Sequence, residues 1–187
     1  MSGAIEWLEP EWPVPRHVRV VSTLRTGGTS KGPYASLNLA AHVDDDAGCV
    51  RENRRRLRDA TGLPSEPLWL EQVHGCEVVE AVGQDDVPRA DSAVATGPGR
   101  VCAVMTADCL PVVLVDRAGT RVAVAHAGWR GLAGGVVEAT VAALGGDPAD
   151  LLAWLGPARG QRGRQAVSGG DRRGLRVCDR PTLAPLV

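Results

Sequence analysis

The chain has 187 residues, 44% of them apolar, which allows one domain with a sizeable core and excludes a disordered chain. The formal net charge of −1 is unevenly spread: 159–187 carries seven arginines and two aspartates, whereas 1–158 carries 14 basic and 20 acidic residues. An acidic body excludes a general attraction to nucleic acid. No apolar run approaches the ~18 residues of a membrane-spanning helix.

The start, "MSGAIEWLEPEWPVP", carries acids and prolines rather than a basic start and a greasy segment, so no secretory signal is read. "HVRVVSTL" (17–24) is β-branched and loosely alternating and predicts a strand. "RTGGTSKGPYASLNLA" predicts a long loop. "DDDAGCVRENRRRLRDATG" predicts a helix with aspartates at its start, an apolar stripe of Val50, Leu57 and Ala60, a solvated arginine run at 54–56 and a stop at Gly62. "PLWLEQVHG" and "CEVVEAV" predict consecutive strands around a turn at Gly75.

"DSAVAT", "RVCAVMTADC", "LPVVLVD" and "RVAVAHAG" predict four short strands, the last two joined by a hairpin turn at "DRAGTR". "GLAGGVVEATVAALGG" predicts one helix with Val136, Val137, Thr140, Val141 and Leu144 on its buried stripe. "LLAWLGP" predicts a further buried strand. These elements make an α+β domain with several antiparallel pairs rather than a regular βαβ series. Beyond Ala158 the apolar period stops. The Arg/Gly-rich segment 159–187 predicts a disordered basic tail, and it has no aromatic with which to stack on RNA bases.

Five cysteines at irregular spacing, with no CxxC pair, suit free thiols in the cytoplasm better than a disulfide framework. Of four histidines, His74 and His126 fall at the ends of predicted strands, and Cys109 stands at the polar start of "LPVVLVD". Two imidazoles and one thiolate suit a catalytic zinc site with its fourth position open. The same residues also suit a cysteine hydrolase, with Cys109 as nucleophile and His126 or His74 as base. Spacing alone separates neither from a structural histidine and a core cysteine. Four histidines are too few for a multicopper centre.

"GGTSKGPYASLNLAAHVDDD", "VRENRRRL", "WLEQVHG", "ADSAVAT", "TADCLPVVLVD", "AHAGWRGLAGGV" and "AWLGPA" occur in this order. Together they resemble the YfiH-like family, also called the laccase-domain or polyphenol oxidase family, over about residues 16–158. The resemblance implies a sandwich of mixed β-sheets between helices. It also implies a zinc-dependent purine nucleoside phosphorylase acting on adenosine, inosine, guanosine and methylthioadenosine, with adenosine deaminase activity. On this resemblance the zinc ligands are His74, Cys109 and His126, and the partners are purine nucleosides and phosphate.

Arg130 and Arg25 are candidates for holding phosphate through forked N–H groups, or else for ordinary surface ion pairs. Asn38 is a candidate for nucleoside binding or for tying down its own loop. Asp108, beside Cys109, is a candidate acid or base, or a support for the ligand. Asp91 has the same options, with structural capping favoured. Departure from the family pattern after Ala158 leads to two expectations. The chain comprises an incomplete domain over 1–158 with a divergent, frameshifted or truncated tail over 159–187, and it is poorly stable and weakly active or inactive. A non-catalytic remnant is the remaining alternative.

Overall fold

The computed structural model describes residues 3–83 and 86–159, together with the two-residue strands Gln165–Ala166 and Pro185–Leu186. In chain order the elements are β1 (Trp7–Leu8), β2 (Val21–Thr23), α1 (Ala47–Thr61), β3 (Val78–Glu80), β4 (Ser92–Thr96), β5 (Leu110–Asp116), β6 (Arg121–Ala127), α2 (Trp129–Gly134), α3 (Val136–Leu144), β7 (Leu151–Leu155), β8 (Ala158–Arg159), β9 (Gln165–Ala166) and β10 (Pro185–Leu186). The central sheet has the order β3-β4-β6-β5-β7; β3 and β4 run parallel and every other neighbouring pair is antiparallel.

Alternation of side chains along the strands divides the interior into layers. Val94 on β4, Val112 and Leu114 on β5, and Ala123 and Ala125 on β6 face Val136 and Leu144 of α3. Their neighbours Ala93, Ala95, Val113, Val115 and Val124 face the opposite way, onto Val20, Leu70, Cys102 and Val104. Across that second layer, Val21, Trp69, Val101, Ala103 and Met105 pack beneath Leu57 of α1. The order is therefore α3, the five-stranded sheet, a second extended layer, and α1: the expected α+β sandwich of sheets between helices.

The second layer differs from the expectation of regular strands. "PLWLEQVHG" and "RVCAVMTADC" alternate as strands do, yet their backbone pairing is an isolated bridge, Leu68 with Cys102, rather than a ladder. Further along, the Gln72 side chain occupies the ladder position: its Oε1 accepts from Met105 N at 2.7 Å and its Nε2 donates to Met105 O at 2.8 Å. "CEVVEAV" does not turn back on "PLWLEQVHG" either. It becomes β3 and pairs in parallel with β4.

Helix α1 starts where the Asp46 carboxylate accepts from Cys49 N at 2.8 Å, and it ends at Gly62, left-handed with φ 65°. Its buried face is Val50, Asn53, Leu57 and Thr61, whereas Ala60 is exposed at the edge of that face, about 65° from its middle at 100° per residue. The arginine run also divides. Arg55 is exposed, but Arg54 lies 4.0 Å over the Trp69 ring, donates to Leu39 O at 2.9 Å, and has its pKa lowered to about 10 by burial. The single helix expected over 131–146 is two helices, broken at Gly135 (φ 95°); the predicted stripe of α3 does face the sheet. Apart from Arg159 and the short strands β9 and β10, the tail expected over 159–187 lies outside the described residues.

Candidate metal centre

Pairing of β5 with β6 sets Pro111 opposite His126, and pairing of β4 with β6 sets Ser92 opposite Ala125. Cys109 just before β5, Asp91 just before β4 and His126 near the end of β6 therefore share one end of the sheet. His74 reaches them from the loop before β3. One donor atom from each of His74, Cys109 and His126 lies within 4.8 Å of the other two. Cys109 Sγ is 3.7 Å from His74 Nε2, close to the separation of about 3.5 Å that two ligands of one tetrahedral zinc adopt. The two imidazole rings meet edge to face, with centroids 4.7 Å apart. His126 is buried, Cys109 half-buried and His74 exposed, which leaves the cluster open on one side.

Asp91 is fully buried behind this cluster. Its Oδ1 accepts from His126 Nδ1 at 2.8 Å and His74 N at 2.9 Å, while its Oδ2 accepts from Gly75 N at 2.7 Å and Val73 N at 3.1 Å. Burial pushes the carboxyl up, but these hydrogen bonds, led by that from His126, outweigh it and hold the pKa below its ordinary value. Use of Nδ1 leaves Nε2 of His126 for a metal. The three backbone bonds shape the loop that carries His74, whose φ of 61° is unusual for a residue with a side chain.

Burial raises the Cys109 pKa, and the negative charges of Asp108 and Asp91 raise it further. A free nucleophilic thiolate needs the opposite environment. A cation among the donors offsets both carboxylates, so the electrostatics fit a metal ligand better than a cysteine nucleophile. Gly128 closes the packing: a Cβ there would lie 2.7 Å from His74 Cδ2 and 3.0 Å from Cys109 Sγ.

The remaining sequence candidates lie around this centre or away from it. Asp108 is exposed, with Arg159 Nη1 3.6 Å from its Oδ1. Arg130 is exposed, its guanidinium 5.3 Å from the centroid of the Trp129 ring. Arg25 donates through Nε to Ala35 O at 2.8 Å within its own loop. Asn38 is buried, donates to Asp45 Oδ2 at 2.9 Å and accepts from Ala40 N at 3.1 Å, which ties down the loop. His17 contacts Gly119 O at 3.1 Å, and neither it nor His42 joins the metal cluster among the described residues.

Sequence reading undervalued three residues. Asp91 does hold backbone amides as a cap would, and it also accepts from the His126 ring. Gly128 is legible only as a small residue two places after His126. Asn53, a polar residue on the buried stripe of α1, accepts from Thr29 N at 2.8 Å and donates to Asn38 O at 2.8 Å and Ser30 Oγ at 2.9 Å. Its position between Val50 and Leu57 was the available signal.

The model of a family described as multi-copper polyphenol oxidoreductase laccase matches residues 19–165. The chain is 58% identical over 156 residues to a purine nucleoside phosphorylase of Pseudomonas aeruginosa, covering 83% of this chain and 63% of that protein. It is 50% identical over 179 residues to the purine nucleoside phosphorylase YfiH of Escherichia coli, covering 95% and 73% respectively. Among solved structures, a Neisseria meningitidis protein superposes with a TM-score of 0.77 at 49% identity, over 81% of this chain and 62% of that one. YlmD of Geobacillus stearothermophilus gives 0.75 at 35% identity, over 82% and 63%. This chain thus spans roughly two thirds of the length of such relatives.

Proposed function

The chain belongs to this laccase-domain family, and we propose that His74, Cys109 and His126 form the metal centre of a zinc-dependent purine nucleoside phosphorylase. The observation that carries the reading is the cluster of two imidazoles and one thiol, backed by the buried carboxylate of Asp91. The phosphorylase names of the Pseudomonas and Escherichia relatives support the reaction class. Zinc suits the donor set and, when bound, supplies Lewis-acid polarisation at an open coordination position. Copper suits two histidines and a cysteine too, and metal analysis separates the two.

The substrates proposed are purine nucleosides (adenosine, inosine, guanosine and methylthioadenosine) with inorganic phosphate. Phosphorolysis makes a bond from phosphate oxygen to ribose C1′ and breaks the bond from C1′ to the purine. In this reading Arg130, exposed just after the His126 strand, binds phosphate through its forked N–H groups. In the same reading Asp108, exposed and next to Cys109 in the chain, exchanges a proton with substrate. Direct contacts of Arg25 and Asn38 with phosphate and nucleoside belong to the same proposal; in the structure both hold their own loop, through Ala35 O and through Asp45 and Ala40 N. Adenosine deamination belongs to the same proposal. So does a cytoplasmic setting, supported by the free thiols of Cys49, Cys76, Cys102 and Cys109. Among the described residues no helix is long and apolar enough to cross a membrane.

The test is incubation of the protein with inosine or adenosine and phosphate, with free base measured with and without chelator, alongside metal analysis of the wild type and Cys109→Ala. Stoichiometric zinc, lost in the variant, together with chelator-sensitive release of base, is the expected result. Rapid alkylation of Cys109 in active, metal-free protein would instead favour a nucleophilic cysteine over a metal ligand. Bound zinc without phosphorolysis would overturn the phosphorylase reading and favour a non-catalytic relative.

A further inference from the structure

The Asp91 carboxylate touches both histidine ligands by different routes. On His126 it holds the ring, through Nδ1 at 2.8 Å. On His74 it holds the backbone, through His74 N at 2.9 Å and the flanking amides of Val73 at 3.1 Å and Gly75 at 2.7 Å. These segments are far apart in sequence, and His74 sits at a φ of 61°, which a non-glycine residue keeps only when its surroundings enforce it. Asp91 is itself fixed at both ends: it is fully buried, and its own carbonyl accepts from His126 N at 2.7 Å.

We propose that Asp91 is the positioning residue of the metal centre, a single clamp that sets the separation of His74 from His126 and so the affinity and geometry with which the centre holds its ion. The inference rests on the metal-centre reading above. A side-chain contact to one histidine would be ordinary support for a ligand. Here one carboxylate also selects the backbone conformation of a second ligand, so its removal disturbs two of the three donors at once. An amide in its place offers one acceptor oxygen and points an NH2 at groups that are themselves donors. Asp91→Asn is therefore nearly isosteric but inverts half of the clamp.

A matched comparison is available on the same sheet. Asp116 is also buried and also accepts two backbone N–H groups, from Thr120 at 2.7 Å and Arg121 at 3.0 Å, but among the described residues no metal-ligand candidate touches it. Zinc and cobalt dissociation constants of the full chain, measured by chelator competition, together with the visible spectrum of the cobalt form, test the proposal. Asp91→Asn is expected to weaken metal binding about 10- to 100-fold and to shift the cobalt bands. Asp116→Asn is expected to lower the melting temperature while leaving affinity and spectrum unchanged. Equal affinity and an unchanged spectrum in Asp91→Asn would overturn the clamp, and failure of the wild type to bind either metal would overturn the metal-centre reading instead.

If Asp91→Asn does not fold, the wild type decides. In protein loaded with ¹¹³Cd, nuclear magnetic resonance should show coupling of the metal to Nε2 of His126, and a slowly exchanging proton on its Nδ1. Coupling through Nδ1 would overturn the proposal.

Discussion

The two ends of the β4-β6-β5 strands use the same device for different purposes. At one end, Asp116 accepts from Thr120 N, Thr120 Oγ1, Arg121 N and Arg121 Nε at 2.7, 2.7, 3.0 and 3.2 Å, and so fixes the β5–β6 hairpin. At the other, Asp91 accepts four hydrogen bonds and fixes two histidines. Asp116 closes a local turn within five residues of itself. Asp91 joins residues 16 to 35 positions away, and its partners include both histidines of the cluster that could hold a metal. The number of hydrogen bonds therefore does not mark a functional carboxylate. What marks it is the sequence distance and the chemical nature of what it holds.

The contrast can be broken most forcefully at the ligands. Cys109→Ala or His126→Ala should abolish stoichiometric metal binding, and any chelator-sensitive activity with it, as metal analysis and free-base release would show. Next in size is the loss of metal affinity in Asp91→Asn already described.

At the hairpin end, the prediction concerns stability and pH. Burial pushes the Asp116 carboxyl up, but hydrogen bonds from Thr120 and Arg121 outweigh it and lower its pKa to about 2, against an unfolded value of about 3.9. A depressed pKa means that the folded form releases this proton more readily. Its stabilisation is present above about pH 4 and is lost as pH falls toward about 2. Asp116→Asn should cost about 2 kcal/mol at pH 7 and much less near pH 2, read by urea titration at both pH values.

Two glycines sharpen the comparison further. Gly119, in the hairpin turn, has φ 69°, and a Cβ there would lie 2.5 Å from His17 Nε2 and 3.0 Å from Pro15 Cγ. Gly119→Ala should cost about 1–2 kcal/mol of stability and leave metal affinity unchanged. Gly128→Ala should do the reverse, weakening metal binding by about tenfold with a smaller effect on melting, because the added methyl meets His74 and Cys109. Smallest is Arg54→Met, which removes the cation from the Trp69 ring and should cost about 0.5–1 kcal/mol by denaturant titration.

Periodicity made much of the fold legible. The helix Ala47–Thr61 with its Asp46 start and Gly62 stop, the β5–β6 hairpin and the face of α3 all follow from local pattern and turn chemistry. The second layer was legible as alternation but not as pairing, because Gln72 replaces ladder hydrogen bonds with side-chain ones. The break at Gly135 escaped because a glycine pair at 134–135 fits both a continuous helix and a left-handed corner. Arg54 and Ala60 were misplaced because a charged residue can lie flat on an aromatic ring and an alanine can lie just off the apolar face.

By itself the sequence determined which residues could serve the centre. The residue types and motifs around His74, Cys109 and His126 carry the family resemblance, and the β-branched runs behind Cys109 and His126 commit those two to adjacent strand ends. Only the tertiary structure decided that the donors meet within 4.8 Å and that Asp91 stands behind two of them. The physical reason is range. Helix periods, caps and tight turns are set by neighbours a few positions apart, whereas this site is closed by strand register and by one buried carboxylate whose hydrogen-bond demand is met only after distant segments have packed together.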